Sequence, residues 1–413
     1  QEAEDFFSAF AAWGGRAFVF CRAAEGGGAS LPLHPLKGQR TSFLRLRLGV
    51  EGLSFSVGLR KRFLPAGVSG KSDGRGGDDL MTRRAALPLV ALLLCALLSG
   101  CGRVEKYEQA RYDLFDTVCR VSAYAESEDA FGRRTEPMWR RLEEIDRALD
   151  PYHGYEGLHN LYYVNLHAAE APVRAEDVLF DMLLWYRDNR LDAGETVNIA
   201  MGAVLNLWHD AREAGGPPPS EEALRAAALH TDFGDVILDE AARTVFFADP
   251  LLKLDPGAVG KGYAAREALK ALGEGAVLVN LGGIVACAGA PDGRDFWRVA
   301  VQSPFSASDS LGILRVKDES VVTSAVYQRF FEWDGLRYHH LIDPETLMPG
   351  NFYSSVTVVC KDPAAADLLS TRLFLLPIEE SRATAESAGA DALWVLPNGE
   401  TLMTDGFRRR LEE

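Results

Sequence analysis

The densest group of residues able to do chemistry is the segment 254–263, which reads Leu-Asp-Pro-Gly-Ala-Val-Gly-Lys-Gly-Tyr. Its glycines let the backbone turn closely around a ligand, and a helix beginning at Gly260 would direct free N–H groups and its positive dipole end at an anion. Lys261 adds a full positive charge there. The segment resembles a phosphate-binding P-loop only superficially, because Asp255 stands where that motif has its first glycine. An ordinary strand-to-helix turn explains this segment alone equally well.

A histidine near the end of a predicted strand is the second candidate. His340 is followed by Leu-Ile-Asp-Pro, so its imidazole lies close to the point where the chain leaves the sheet. Imidazole can take a proton from an attacking hydroxyl near neutral pH, which makes His340 a candidate general base. A lone histidine more often forms structural hydrogen bonds, and the local sequence favours that interpretation.

The segment 362–371 predicts a helix that carries oxygen ligands. Asp362 followed by Pro363 is typical of a helix N-cap with proline at the first helical position. Asp367 and Thr371 are four residues apart and therefore share one helix face. Such hard oxygens suit Mg²⁺, which commonly takes one or two protein ligands together with substrate phosphates. Read in isolation, the segment is better explained as an amphipathic helix with a solvated aspartate.

The elements that must position these residues change in type along the chain. Helical spacing dominates the first part, and short strands crowd together after residue 235. This order predicts an α+β fold with helices packed on an antiparallel sheet. We expect one continuous domain over 112–405 and a C-terminal tail over 406–413. The predicted helices are 128–149, 175–190, 201–214, 260–272, 363–376 and 378–388. The strands 236–238 and 244–247 are predicted to pair as a hairpin, and the strands predicted after it are 276–281, 297–303, 311–317, 326–333, 336–342 and 354–360.

The segment 81–101 has the features of a lipoprotein signal. Met81-Thr-Arg-Arg gives a positive start, an apolar run follows, and Leu-Ser-Gly-Cys precedes the mature chain. The run is short for a bilayer span, which favours a signal over a membrane helix. We therefore predict a signal peptide over 81–100, a lipid anchor on Cys101 at the extracytoplasmic face of the cell membrane, and a tether over 101–111. Residues 1–80 are predicted to be a non-native or disordered upstream extension.

The charge of the predicted mature chain excludes nucleic acid as a partner. The whole chain has 44 Lys and Arg against 59 Asp and Glu, and residues 1–100 hold 13 and 8 of these, which leaves 31 and 51. A surface with this excess of negative charge repels the phosphate backbone of a nucleic acid. Cys119, Cys287 and Cys360 lie far apart without metal-binding spacing, so buried thiols are expected.

Five motifs in order make the chain similar to the flavin transferases of the ApbE type. The family's D-x-G-x-x-x-K-G-Y, V-N-x-G-G, T-S-x-x-Y-x-R-[FY], H-x-I-D-P and A-D-x-x-[SD]-T motifs match the segments 255–263, 279–283, 323–330, 340–344 and 366–371. The resemblance covers roughly 112–405 and implies an ApbE-like, T-fold-like architecture. Asn198, Ala325-Val326 and Arg372 depart from the residues common in the family, which affects substrate contacts more than the reaction class.

The resemblance implies a site for FAD and Mg²⁺. It assigns the metal to the Ala258 carbonyl, Asp367 and Thr371. FAD contacts fall on Asp255, Lys261 and Ile342, and less securely on Phe115 and Tyr152. The implied reaction transfers FMN from FAD to a Thr or Ser hydroxyl of an acceptor protein and releases AMP, with His340 as the base and Asp367 at the catalytic metal.

Two other functions remain compatible with the sequence. The same site could hydrolyse FAD to FMN and AMP with water as the acceptor. A flavin-binding lipoprotein without enzymatic activity is the third possibility. The resemblance implies an acceptor flavoprotein of a membrane or extracytoplasmic electron-transfer chain.

Overall fold

The computed structural model describes residues 104–193, 196–291 and 293–412. Three predictions lie outside these ranges: the upstream extension 1–80, the signal peptide 81–100 and the lipid anchor on Cys101. Within them no helix is long and apolar enough to cross a membrane.

An eight-stranded antiparallel sheet organises the described part of the chain. Its strand order is β1-β2-β6-β7-β10-β13-β14-β15. The consecutive pairs are antiparallel, as in Val121↔Val279 between β2 and β6 and Thr323↔Thr357 between β10 and β13. The strands are β1 Glu105–Leu114, β2 Thr117–Ala125, β6 Val277–Leu281, β7 Ile284–Ala288, β10 Ser320–Ala325, β13 Ser355–Cys360, β14 Asp391–Val395 and β15 Thr401–Met403.

Smaller sheets and the helices surround this central sheet. The smaller sheets join β3 Val173–Arg174, β4 Val236–Asp239 and β5 Thr244–Phe247; β8 Trp297–Ser303 and β9 Ser306–Val316; and β11 Phe330–Trp333 and β12 Leu336–His339. The helices are α1 Glu128–Leu149, α2 Leu161–His167, α3 Asp177–Ala193, α4 Gly202–Ala214, α5 Glu221–Ala228, α6 Gly260–Leu272, α7 Pro363–Leu375, α8 Ile378–Ser387 and α9 Asp405–Arg410. Helices on a mostly antiparallel sheet confirm the predicted α+β class.

Helix caps account for where several helices begin. Ser220 accepts a hydrogen bond from Ala223 N at 3.2 Å and caps the start of α5. Asp362 accepts one from Ala364 N at 2.8 Å, and Pro363 occupies the first turn of α7, which confirms the predicted cap. The glycine-rich segment 254–263 runs into α6, and Asp362 marks the start of α7.

Alternate residues of the central strands face two different cores. In β14, Ala392 and Trp394 belong to the main core with α1, α6 and α7. Leu393 and Val395 belong to a second core with β8, β9 and α9. Because successive strand residues point to opposite faces, the sheet is covered on both sides.

Three sequence expectations about elements were wrong. Residues 105–111 of the predicted tether form most of β1 and pair with β2, as in Glu105↔Ala125. The predicted C-terminal tail contains α9, whose Phe407 is fully buried. The strands β7 and β10 were not predicted, although both are central to the sheet.

Candidate active site

One cleft brings together every predicted site residue in the described part of the chain. The glycine-rich segment, α7 and the strand-end histidine all border it, although they are far apart in sequence. The predicted residues that line it are Phe115, Tyr152, Asp255, Ala258, Lys261, His340, Ile342, Asp367 and Thr371.

Asp255 shapes the glycine-rich turn that borders the cleft. Its Oδ1 accepts a hydrogen bond from Gly257 N at 2.7 Å, and its Oδ2 accepts one from the Tyr152 hydroxyl at 3.3 Å. Gly260 N donates to Pro256 O at 2.7 Å and closes the turn that begins α6. The first N–H groups of α6 and Lys261 therefore lie beside the cleft.

Helices α6 and α7 touch at a glycine. Gly262 N donates to Asp367 Oδ2 at 2.8 Å. A Cβ at position 262 would lie 2.4 Å from Pro363 O and 2.5 Å from Asp367 Cβ. Glycine is required here because the backbones approach too closely for any side chain, and this approach places Lys261 near Asp367.

Burial perturbs both charged groups at this contact. Asp367 is 5% exposed, and burial raises its pKa to about 6, while Lys261 and the Gly262 N–H act in the opposite direction. Burial also lowers the pKa of Lys261, the charge of Asp367 opposes that shift, and the charge of Arg329 adds to it. A ligand that brings an anion and a cation together would compensate both groups.

The donor set around Asp367 fits Mg²⁺. Asp367, Thr371 and Ala258 border one cleft, and they carry a carboxylate, a hydroxyl and a backbone carbonyl, all of which are hard oxygen donors. Thr371 is 8% exposed, and its Oγ1 lies 3.4 Å from the hydroxyl of Ser324. The described residues contain no group of three or more His, Cys, Asp and Glu suited to a metal. An ion here would therefore depend on ligand phosphates, as Mg²⁺ commonly does.

The two neighbouring histidines differ in what their ring nitrogens do. His340 Nδ1 lies 3.2 Å from Arg329 O, and a carbonyl only accepts, so Nδ1 carries the proton and Nε2 keeps its lone pair. His339 Nε2 donates to Gly350 O at 2.7 Å, and its Nδ1 accepts from Leu341 N at 3.3 Å. His339 is thus structural on both sides, whereas His340 has the tautomer that a base requires.

The environment keeps His340 neutral. Burial, followed by the charges of Lys261 and Arg329, lowers its pKa to about 3. A base of such low pKa has little driving force for taking a proton. An anionic ligand beside Lys261 and Arg329 would raise the pKa of His340 towards the useful range.

Several cleft residues were not predicted as site residues. Tyr152 stacks on His209 with ring centres 3.9 Å apart, and His209 Nδ1 accepts a hydrogen bond from Arg212 at 2.8 Å. Asp146 borders the cleft from α1, and no local sequence signal indicated it. Arg329 lies in the motif segment 323–330, and that motif was the sequence signal that could have identified it.

Ile342, which was predicted to contact FAD, is 6% exposed and packs in a small core with Met201, Val204 and Trp208.

Comparison with known proteins identifies relatives of this chain. The ApbE family model matches residues 115–394. A FAD:protein FMN transferase of Treponema pallidum is 31% identical over 347 residues, covering 78% of this chain and 94% of the relative. One of Klebsiella pneumoniae is 32% identical over 253 residues, covering 60% of this chain and 78% of the relative.

Solved structures share the fold. The ApbE protein of Thermotoga maritima aligns with a TM-score of 0.67 and 25% identity, covering 75% of this chain and all of that one. The apo flavinyl transferase ApbE of Pseudomonas stutzeri aligns with a TM-score of 0.63 and 26% identity, covering 75% and 97%. Sequence and fold agree, and the chain belongs to the ApbE family.

Proposed function

We propose that this protein transfers FMN from FAD to a Thr or Ser hydroxyl of an acceptor protein, with Mg²⁺, and releases AMP. The observation that carries the proposal is the shared cleft of the glycine-rich turn and α7, where groups able to hold a cation adjoin groups able to hold an anion. The transferase names of the relatives support the same activity.

The cleft supplies the groups that a dinucleotide diphosphate needs. Lys261, Arg329 and the N-terminal N–H groups of α6 neutralise its negative charge. Ala258, Asp367 and Thr371 would hold Mg²⁺ against the phosphate oxygens. When bound, the ion supplies Lewis-acid stabilisation of the charge that develops on phosphorus and on the leaving group.

The transfer step uses His340 as a base. Its Nε2 takes the proton of the acceptor hydroxyl as the hydroxyl oxygen forms a bond to the phosphorus of the FMN half. The bond between that phosphorus and the bridging oxygen breaks, and AMP leaves with the electron pair. The Arg329 carbonyl keeps the proton on Nδ1 and so directs Nε2 to this task.

The experiment mixes the full chain, FAD, MgCl₂ and a candidate acceptor flavoprotein. Mass spectrometry of the acceptor should show one added FMN on a Thr or Ser, with an equal amount of AMP released. Without the acceptor, little AMP should form. AMP release at the same rate without the acceptor would show a FAD pyrophosphatase instead, and FAD binding with neither product would show a carrier.

We further propose that the protein acts at the outer face of the cell membrane through a lipid on Cys101. The lipobox-like Leu-Ser-Gly-Cys supports this proposal, and the acceptor would then belong to a membrane or extracytoplasmic electron-transfer chain. Cys101→Ala should release the protein from the membrane fraction. Retention of this variant in the membrane would contradict the anchor.

A further inference from the structure

The turn between β1 and β2 has an unfavourable backbone conformation. Phe115 and Asp116 have φ angles of 54° and 51°, in the left-handed region that glycine adopts easily and other residues rarely. Leu114 pairs with Thr117, so these two residues form the whole connection. Hairpin turns of this handedness are dominated by Asn-Gly, Asp-Gly and Gly-Gly, and this turn contains no glycine.

Side chains from two distant elements bind the backbone of Phe115. Its N–H donates to Asp146 Oδ1 on α1 at 2.8 Å. Its carbonyl accepts from Arg329 Nη2, just before β11, at 3.1 Å. The same guanidinium nitrogen lies 3.6 Å from Asp116 Oδ2. Strained residues persist where the surrounding structure over-determines them, and here each polar group of the Phe115 backbone has a partner.

The turn and both partners border the cleft. Phe115, Asp116, Asp146 and Arg329 line it together with Lys261. Burial raises the pKa of Asp146, and the Phe115 N–H opposes that shift. An Asn-Gly turn would form without any such partners. A phenylalanine at position 115 therefore places an aromatic side chain at the cleft but gives the turn a strained backbone. The side chains of Asp146 and Arg329 hold that backbone in place.

We propose that Asp146 and Arg329 are positioning residues that hold the turn of Phe115 and Asp116, so that Phe115 helps to bind the flavin dinucleotide. The inference rests on the proposed function for the identity of the ligand. It assigns to Asp146 a role in FAD affinity that acts through its hydrogen bond with the backbone of Phe115.

The test measures FAD binding by flavin fluorescence in MgCl₂, together with KM and kcat for transfer. Asp146→Ala should raise the Kd and the KM for FAD about tenfold and change kcat less than threefold. Asp146→Asn should stay within about threefold of the wild-type Kd, because its amide oxygen accepts the same hydrogen bond. Asp116→Gly added to Asp146→Ala should recover most of the affinity, because glycine adopts this φ without strain.

Asp113→Ala is the matched control. It removes an exposed carboxylate of β1, which pairs with Arg111, and it should leave the Kd unchanged. A Kd for Asp146→Ala within twofold of wild type would overturn the proposal. The proposal would also be overturned if the double variant Asp116→Gly, Asp146→Ala regained thermal stability but not FAD affinity, because Asp146 would then stabilise the fold without affecting the ligand. If wild type binds FAD and transfers nothing, the proposed function fails, while the Kd series still decides on the turn.

Discussion

Replacing Gly262 with alanine tests the contact on which the cleft depends. The added Cβ would lie 2.4 Å from Pro363 O, and ordinary contact begins near 3.4 Å, so α6 and α7 must separate by about 1 Å. Overpacking of this kind costs about 1–3 kcal/mol. Weakening the 2.8 Å hydrogen bond from Gly262 N to the Asp367 carboxylate costs about 1.5–3 kcal/mol more.

A favourable helix propensity offsets part of this loss. Alanine is preferred over glycine inside a helix by about 1 kcal/mol. The net expectation for Gly262→Ala is a fall of roughly 1.5–5 kcal/mol in the free energy of unfolding, measured by urea denaturation. FAD affinity should fall as well, because the separation moves Lys261 away from Asp367.

Gly132→Ala supplies the control for this experiment. Gly132 lies in α1, is exposed, and has no heavy atom within 4 Å of an added Cβ. The same substitution should therefore stabilise the protein by about 0.5–1 kcal/mol and leave FAD binding unchanged. If Gly262→Ala is as stable as Gly132→Ala, the two helices do not approach as closely as the cleft requires, and the argument for a shared site fails.

Three further predictions concern the cleft and its surroundings. Asp367→Ala should reduce FMN transfer at least about 100-fold and abolish its dependence on Mg²⁺ concentration, and transfer that persists would exclude the metal mechanism. The pKa of His340 is 6.5 in the unfolded chain and about 3 in the folded protein, so acid protonates the unfolded chain first. The free energy of unfolding of the ligand-free protein should therefore be unaffected by His340 above pH 6.5 and should decrease on acidification, by at most about 2 kcal/mol at pH 5. Denaturation of His340→Asn should show a smaller decrease, and an equal decrease would assign it to other groups. Gly282→Ala should destabilise the protein, because its φ is 62° and the added Cβ would lie 2.2 Å from Thr117 Oγ1, and an unchanged melting temperature would contradict this contact.

Helices could be predicted because their signals are local. Apolar residues at helical spacing located α1, and Asp362 with Pro363 fixed the start of α7. The strand β10 was missed because it is buried on both faces, which removes the alternation of polar and apolar residues that identifies a strand. The strand β1 was missed for the opposite reason, since charged residues such as Lys106 and Glu108 cover an exposed edge strand.

The site could be predicted only as far as its motifs extend. The positions of Lys261 and Asp367 followed from sequence, whereas their approach depends on two helices meeting at Gly262. Asp146 had no signal, because its role depends on a partner 31 residues away whose backbone conformation no propensity predicts. Contacts of this kind exist only after the sheet has formed.

The neighbouring histidines show most directly why sequence could not complete the assignment. His339 and His340 are the same residue type in the same strand-end segment, and both border the cleft. The ring of His339 is enclosed by two backbone groups and has no nitrogen left for chemistry. The ring of His340 forms a hydrogen bond through Nδ1 and lies near the charges of Lys261 and Arg329. A bound diphosphate would therefore both occupy the cleft and make this base stronger. Coupling of that kind would confine proton transfer to the complex with substrate.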